Sequence, residues 1–511
     1  MKSLTTIDAK RAWNYADLNE ILRIEKQPEK IALFTMTRIA PGDGQITVDW
    51  VRSPASGADE AGMQHDRSYW IVCRPRDAAA ADDSNGRTEA ARAEWKQKLT
   101  HSRSGSVVFS GLDNGVDYEI SIRAVEQGNP QEKLVSVKRL ARPGIVPGTV
   151  VNYIHPEDDA YGFSGRSPAS PSIIRLPSGK LLASHDVYWG KCGQNLSMIF
   201  SSEDEGRSWE FVTYLYPCFW GKLFLVNDAL YMLGTSTEYG ALLIGRSDDE
   251  GKTWSAPVVL IEGGSREEGG PHKAPVPVVV YRDRIWTAIE HGSWQLGGHD
   301  TGVISAPVNA DLLDASNWTV TPFLKYDANW PGTVQGGKSP SLLEGNVVVT
   351  PEGKLVNLLR YHTFECEPDY GRAIYLHIDD EHPEAPLTFG KVIDFHGNMS
   401  KFTILYDEKS QMYWSLVNRV TLPNVRQRTI LTLVCSRDLE HWQIVSDVLD
   451  YQHNGWPEDD KQVGFQYVDW IFDGDDMLFL SRTALNGAHN YHNANYITFH
   501  RIENFRASGG D

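Results

Sequence analysis

Residues 202–209 are Ser-Glu-Asp-Glu-Gly-Arg-Ser-Trp, and residues 247–254 repeat the pattern as Ser-Asp-Asp-Glu-Gly-Lys-Thr-Trp. A third copy at 436–442, Ser-Arg-Asp-Leu-Glu-His-Trp, is degenerate. The pattern is typical of a β-hairpin turn whose aspartate accepts hydrogen bonds from backbone amides while the tryptophan packs beneath it. A recurring supersecondary unit indicates a repeat fold, here a β-propeller. The turns themselves are structural and predict no chemistry.

Six apolar hairpins accompany these turns, each made of a strand, a tight turn and a second strand. They cover residues 172–186, 223–236, 277–291, 346–362, 402–419 and 467–482. Each hairpin is typical of the two inner strands of a propeller blade. We therefore predict an all-β chain with a propeller, the catalytic domain, over residues 146–511.

Each second strand ends in polar residues. These are His185; Thr235 and Tyr239; Glu290 and His291; Arg360, Tyr361 and His362; Asn418 and Arg419; Arg482 and Asn486. A second polar set precedes the first strands: Arg166, Trp220, Lys222, His272, Lys273, Glu344, Lys401 and Gln466. In a propeller both sets lie at the same mouth, around the central axis. The sequence therefore predicts a site for an anionic ligand there.

Composition limits the partners. The 511-residue chain has a formal net charge of −18, which disfavours nucleic acid and anionic membranes. Its five cysteines contain no C-x-x-C pair, and the start of the sequence has no apolar signal segment. We expect a cytoplasmic protein from the sequence as written, and a secreted or periplasmic one if a signal peptide has been removed. Monomer and homo-oligomer stay equally open.

A separate module precedes the propeller. Residues 1–29 are predicted as a polar, helical lead-in, and residues 30–145 as alternating strands. The stretch Val-Val-Phe-Ser-Gly-Leu-Asp-Asn-Gly-Val-Asp-Tyr at 107–118 resembles the fibronectin type III signature, with Tyr118 as the tyrosine-corner residue and Trp50 as the core tryptophan. We predict a fibronectin type III-like β-sandwich, with a loop and an inserted helix over 78–100.

Residues 160–506 resemble the propeller family grouped as glycoside hydrolase family 145 and polysaccharide lyase family 42, often mislabelled as sialidases. The stretches that carry the resemblance begin at Ser170, Leu230, Arg284, Ala310, Leu343, Lys401, Met412, Gly464 and Asn493. Sialidase itself is a poorer match, because an Arg-Ile-Pro motif and a clear Tyr/Glu nucleophile pair are missing. The resemblance implies seven blades, so the seventh would be irregular or completed by residues 145–160.

The resemblance also implies a substrate, the terminal linkage L-rhamnose-α-1,4-D-glucuronate found on arabinogalactan proteins and gum arabic. Hydrolase-type members use a histidine on the back face, whereas lyase-type members use the front mouth. The back-face turns of this chain contain no histidine. We therefore predict an exo-acting polysaccharide lyase, with an acidic oligosaccharide or polysaccharide as its partner.

β-Elimination from a uronate requires that its carboxylate be neutralised and its C5 proton removed by a group that titrates near neutral pH. The acid and base candidates are His185 and His272, with Tyr239 or Tyr361 as phenolic alternatives. The candidates for binding the carboxylate are Arg166, Lys222, Arg246, Arg360 and Lys401. Asn346, Gln466 and Glu290 are candidates for binding sugar hydroxyls.

A last polar cluster contains His489 and His492. Ligand contact or plain loop structure is favoured there over a metal site, because His-x-x-His in an irregular loop is a weak metal pattern. No cofactor is required by the reaction, and a structural Ca²⁺ in the propeller tunnel is kept as an option.

Two alternatives remain open. The first is an exo-α-L-rhamnosidase that hydrolyses the same linkage. The second is a non-catalytic, glycan-binding propeller with the fibronectin-like module as its partner in adhesion.

Overall fold

The structure is a computed structural model that describes residues 11–54, 67–76, 94–99, 102–126, 129–190, 192–337, 340–456 and 462–509. The regular secondary structure of the described chain is almost entirely β-strand, which confirms the predicted fold class. None of the helices in these ranges has the length and apolar character needed to span a bilayer.

Residues 1–10 of the predicted helical lead-in lie outside the described residues, and the rest of it is only partly helical. It contains the strand Asn14–Tyr15, the α-helix Leu18–Ile24 and the 3-10 helix Pro28–Lys30. The side chain of Asp17 caps the α-helix by accepting a hydrogen bond from the Asn19 N–H. Asn14–Tyr15 pairs with the outermost strand of the first propeller blade, so this part of the lead-in extends the propeller rather than preceding it.

The next segment forms two sheets. One sheet contains Phe34–Gly42, Gln45–Arg52 and Ser104–Ser110, and the other contains Trp95–Lys98, Arg67–Pro75, Tyr118–Glu126, Asn129–Leu134 and Arg139–Ala141. Trp50 is buried in the core, and the Tyr118 hydroxyl accepts a hydrogen bond of 3.0 Å from the Asp113 N–H. This is the tyrosine corner of a fibronectin-like sandwich. Most of the predicted loop and helix over 78–100 lies outside the described residues.

The propeller has six antiparallel sheets within the described residues, here called blades 1 to 6; four of them have four strands, and those of blades 1 and 3 have five. Blade 1 contains Ser167–Arg175, Leu181–Tyr188, Leu196–Ser202 and Glu210–Leu215; blade 2 contains Phe219–Val226, Ala229–Thr235, Leu242–Ser247 and Val258–Ile261; blade 3 contains Gly270–His272 and Val279–Tyr281, which both pair with Arg284–Ser293, then Gly298–Pro307 and Thr319–Val320. Blade 4 contains Ser341–Val349, Leu355–His362, Arg372–His377 and Thr388–Asp394; blade 5 contains Ile404–Asp407, Met412–Asn418, Ile430–Ser436 and Trp442–Asp450; blade 6 contains Gly464–Asp473, Asp476–Ala484, Tyr496–Ile502 and Thr149–Tyr153.

The ring is closed by a strand from the start of the propeller. Thr149–Tyr153 pairs with Tyr496–Ile502 and so becomes the outermost strand of blade 6. The six hairpins of the sequence are the inner strand pairs of six blades, and the segment that was expected to supply a seventh blade completes the sixth instead. The remaining short elements are the paired strands Gln335–Gly336 and Cys366–Glu367 and the 3-10 helices Trp294–Leu296, Ala315–Asn317 and Phe505–Gly509.

The repeated turns have the predicted hydrogen bonds. Asp204 Oδ1 accepts from the Ser208 N–H at 2.9 Å, and Asp249 Oδ1 accepts from the Thr253 N–H at 2.8 Å. Trp254, at the end of the second copy, is buried. These turns link the third and fourth strands of their blades and lie away from the axis, in agreement with a structural role.

Two buried arginines join the sandwich to the propeller. Arg38 donates hydrogen bonds to the backbone oxygens of Val150 and Val151, in the strand that closes the ring. Arg139 forms a buried ion pair of 2.6 Å with Asp158. The sandwich is therefore held against the closing strand by charge-assisted hydrogen bonds.

Candidate active site

Four of the inner strands are interrupted at equivalent positions. The pairing register of blades 1, 2, 4 and 6 shifts around Ser170, Trp220, Glu344 and Tyr467, and each of these residues has a φ between 46° and 56°. A bulky residue in this left-handed region is strained, and such strain accumulates at functional sites. All four bulge residues line one cavity at the mouth of the propeller.

The cavity has a volume of about 460 Å³ and receives residues from blades 1, 2, 3, 4 and 6. Its lining combines aromatic rings, three arginines, two histidines and two glutamates. These side chains are Tyr188, Trp189, Trp220, Tyr239, Trp294, Tyr467, Arg266, Arg360, Arg482, His272, His492, Glu238 and Glu344. A concave, aromatic surface with a few converging polar groups is the usual form of a small-ligand site.

Arg360 and Arg482 make one wall of the cavity cationic. Arg360 pairs with Glu344 at 2.8 Å and donates to the Tyr467 hydroxyl at 3.1 Å. The guanidinium of Arg482 lies 5.0 Å from the ring centroid of Tyr188 and 5.2 Å from that of Tyr467. Within the described chain, no carboxylate forms an ion pair with Arg482, and the Nε atoms of both arginines lack a hydrogen-bond partner.

The positive charge of Arg482 therefore has no balancing carboxylate within the described chain. Its side chain donates to the backbone oxygen of His492 but is only 2% exposed, and burial lowers the pKa of its guanidinium. An anionic ligand group in the cavity would satisfy this cation.

His272 lies on another wall and has a fixed orientation. Its Nδ1 is 3.0 Å from Glu290 Oε2, and Glu290 Oε1 in turn accepts from the Gly345 N–H at 3.1 Å. A histidine that donates Nδ1–H to a buried carboxylate keeps its Nε2 lone pair free to accept a proton. His272 with Glu290 thus has the arrangement of a general base with a positioning residue.

Tyr239 faces the same cavity. Its ring centroid is 5.8 Å from Trp220 and 6.5 Å from His272, and its backbone has a φ of 62°. Burial raises the pKa of this phenol, with a further contribution from Glu238. Tyr239 therefore holds its proton at neutral pH and can act as a donor.

His185 does not lie at the cavity, contrary to the expected convergence of all hairpin ends. Its ring is 1% exposed and stacks on Phe200, with Nε2 2.9 Å from the Asn152 amide and Nδ1 3.0 Å from the Asp186 carbonyl oxygen. Successive strand side chains point to opposite faces, and the face of His185 is the interior of the blade. Both ring nitrogens are engaged there.

Tyr361 is also kept from the cavity. Its hydroxyl is 2.6 Å from that of Tyr326 and accepts from the Val334 N–H at 3.1 Å. The phenol belongs to the core between blades 3 and 4, among buried apolar side chains.

Buried neutral histidines predict acid sensitivity of the fold. Burial lowers the pKa of His185 to about 4 and that of His500 to about 3, from 6.5. The unfolded chain binds protons at these two histidines that the folded protein excludes, so the stability that they contribute is complete above a pH of about 6.5 and falls towards pH 4. We expect the urea midpoint to decrease over this window, each histidine contributing up to about 1.4 kcal/mol per pH unit.

His185→Gln is the matched variant. Its side-chain oxygen can accept the Asn152 hydrogen bond but does not titrate, so its stability should depend less steeply on pH, by the equivalent of one proton. A slope equal to that of the unchanged protein would show that His185 does not contribute.

Three buried lysines, Lys222, Lys273 and Lys401, lie close to one another outside the cavity lining. Lys222 pairs with Asp469 at 2.6 Å, connecting blades 2 and 6, and Lys401 donates to the backbone oxygens of Pro275 and Val468. Burial lowers the pKa of Lys401 to about 8 and that of Lys273 to about 7. Asn346 bonds the backbone of blade 5. Lys222, Lys401 and Asn346 thus connect blades and do not line the cavity.

This donor set does not fit the Ca²⁺ that was kept as an option for the tunnel. Calcium requires six to eight oxygen ligands, whereas ammonium groups predominate here. Nor do the described ranges contain a group of three or more His, Cys, Asp or Glu side chains that could hold a metal ion.

The other candidates are distributed as follows. Arg360 and His492 line the cavity, and Glu290 binds the Nδ1 side of His272. Arg166 and Arg246 are exposed and form ion pairs with Asp159 and Asp248, respectively. Gln466 is buried and accepts a hydrogen bond from Arg428, and His489 is exposed. Arg166, Arg246 and Gln466 are therefore not among the side chains that line the cavity.

The site also contains residues that the candidate set omitted. They are Tyr188, Trp189, Trp220, Glu238, Arg266, Trp294, Glu344, Tyr467 and Arg482, with His299 behind them. The ring centroids of His299 and His272 are 4.8 Å apart, and neither ring nitrogen of His299 has a hydrogen-bond partner within the described residues. The sequence places Arg482 at the end of a hairpin. Trp189 and Trp294 follow the second strands of blades 1 and 3.

No protein-family model matches the chain, and no curated protein matches it. Among solved structures, the leech intramolecular trans-sialidase is 10% identical over 98% of this chain and 97% of its own, with a TM-score of 0.46. The α-L-arabinanase of Penicillium chrysogenum is 14% identical over 71% and 99%, with a TM-score of 0.44.

A third similar structure is the GH93 α-L-arabinofuranosidase of Fusarium graminearum, 12% identical over 69% of this chain and 97% of its own, with a TM-score of 0.43. Similarity at this level does not identify a substrate.

Proposed function

We propose that this protein is an exo-acting polysaccharide lyase that cleaves terminal L-rhamnose-α-1,4-D-glucuronate by β-elimination. One observation carries the proposal: buried Arg482, without a carboxylate partner in the described chain, shares a cavity with the oriented His272–Glu290 pair. A cationic wall and a general base are the two requirements of proton removal beside a carboxylate.

The reaction assigns a role to each wall. The uronate carboxylate lies against Arg360 and Arg482, which withdraw charge from it and make the C5 proton more acidic. His272 Nε2 takes that proton, the electron pair forms the C4=C5 double bond, and the C4–O4 bond breaks. O4 leaves with rhamnose and receives a proton from Tyr239 or from protonated His272. The products are free rhamnose and a saccharide that ends in a 4,5-unsaturated uronate.

Gum arabic tests this function. We expect the protein to release rhamnose and, in equal molar amount, to generate the ultraviolet absorbance of the conjugated double bond. Rhamnose without that absorbance would replace the lyase by an exo-α-L-rhamnosidase. Binding of gum arabic without release of rhamnose would replace it by a non-catalytic glycan-binding propeller.

A further inference from the structure

Two tryptophans stand exposed at the edge of the cavity. Trp189 is 47% exposed and Trp294 is 43% exposed, and they are the two tryptophans among the large exposed apolar side chains of the described chain. They follow the second strands of blades 1 and 3, so they flank blade 2 at the mouth. Exposed indoles beside a polar cavity are an unusual use of apolar surface and indicate a binding role.

Both indoles pack against neighbouring rings. Trp189 is roughly perpendicular to His492, with ring centroids 6.3 Å apart, and Trp294 is roughly perpendicular to His299 at 5.1 Å and also contacts His362 at 4.9 Å. The backbone of Trp189 has a φ of 72°, a strained conformation for a bulky residue. Rings that are fixed before binding lose little conformational entropy when a ligand covers their faces.

A series of hydrogen bonds runs along the edge of blade 2 from the backbone of Trp189 to the residue before Trp294. The backbone N–H of Trp189 donates to Gln194 Oε1 at 3.3 Å, and Gln194 Nε2 donates to Glu238 at 2.9 Å. Glu238 forms an ion pair with Arg266, and the Arg266 carbonyl oxygen accepts from Ser293, the neighbour of Trp294. We call Trp189, Gln194, Glu238, Arg266 and Trp294 the rim.

We propose that the rim binds neutral hexose units on the reducing side of the glucuronate, so that the site takes a saccharide chain and not only its terminal disaccharide. This inference rests on the proposed function, because the eliminated rhamnose leaves while the uronate stays attached to its chain. Glu238 and Arg266 neutralise each other, which suits uncharged hydroxyl groups, and the indole faces suit the apolar faces of sugar rings. The rim is continuous with the cavity, since four of its five members line it.

Alanine variants of the two tryptophans test the rim. We expect Trp189→Ala and Trp294→Ala each to lower, by about tenfold, the ratio of kcat/KM for gum arabic to kcat/KM for the methyl glycoside of the free disaccharide. Tyr406→Ala is the control, because Tyr406 is an exposed aromatic residue of blade 5 outside the cavity. It should leave the ratio unchanged. An unchanged ratio in both tryptophan variants would refute the proposal that the rim binds hexose units.

A binding measurement separates this inference from the proposed reaction. Affinity electrophoresis in gum arabic should show retarded migration of the unchanged protein and weaker retardation of both tryptophan variants. If rhamnose is not released but retardation still depends on Trp189 and Trp294, the proposed lyase reaction is refuted and saccharide binding by the rim is supported. If the unchanged protein is not retarded, the rim proposal fails as well.

Discussion

Replacing His272 by alanine should lower kcat on gum arabic by about 10²–10⁴-fold, the usual contribution of a positioned acid–base group. The reason is geometric: His272 lines the cavity, and its Nδ1 is engaged with Glu290 at 3.0 Å, which leaves Nε2 for the C5 proton. The measurement is the initial rate of ultraviolet absorbance. Because a buried carboxylate loses its partner, the thermal midpoint of the variant must be recorded beside its rate.

Two further variants make this result specific. His382→Ala removes an exposed histidine outside the cavity and should retain full activity. Glu290→Gln keeps a side chain of the same size but holds the imidazole less firmly, so it should lower kcat more than it raises KM and shift the acidic limb of the pH–rate profile. Full activity of folded His272→Ala would remove His272 from the mechanism.

Replacing Arg482 by methionine should raise KM for gum arabic by about 10–100-fold, because a charge-assisted hydrogen bond contributes about 1.5–3 kcal/mol. The same change should leave the free energy of unfolding equal or increased. Arg482 is a buried cation without a carboxylate partner in the described chain, so the fold gains when an apolar chain takes its place. Urea unfolding and steady-state kinetics of one preparation check both parts.

Arg360→Met provides the contrast. It leaves Glu344 buried without its 2.8 Å partner, so we expect it to destabilise the fold by about 3–5 kcal/mol as well as to weaken binding. If Arg482→Met destabilises the protein as strongly as Arg360→Met and leaves KM unchanged, then Arg482 is a structural residue and the carboxylate binds elsewhere.

The propeller and the position of its mouth could be predicted from the sequence, because both depend on repetition. The hairpins and the repeated turns at 202–209 and 247–254 can be recognised in the sequence. The direction of each strand then fixes which strand ends lie at the same mouth of the propeller. His272, Tyr239 and Arg360 reach the cavity for this reason. The order of strands also explains why residues 149–153 add to blade 6, although pattern alone could not show that they close it.

The side on which each hairpin end points was harder to predict. Strand side chains alternate, so a shift of one residue decides between cavity and core, and His185 falls on the core side. The bulges that set this register lie at Ser170, Trp220, Glu344 and Tyr467, none of which is the glycine that normally announces a positive φ. Local sequence contains no sign of such strained positions, because the surrounding fold imposes them.

Closure of the ring by Thr149–Tyr153 has a consequence for biosynthesis. The last blade needs a strand made early and three strands made at the end of translation, so the closing contacts have very high sequence separation and form late. Until then that strand would expose an unpaired edge, which invites association with other nascent chains. Arg38 of the fibronectin-like module donates hydrogen bonds to two backbone oxygens of this strand, and these contacts need no residue beyond Val151, so they do not depend on the strands that are made last.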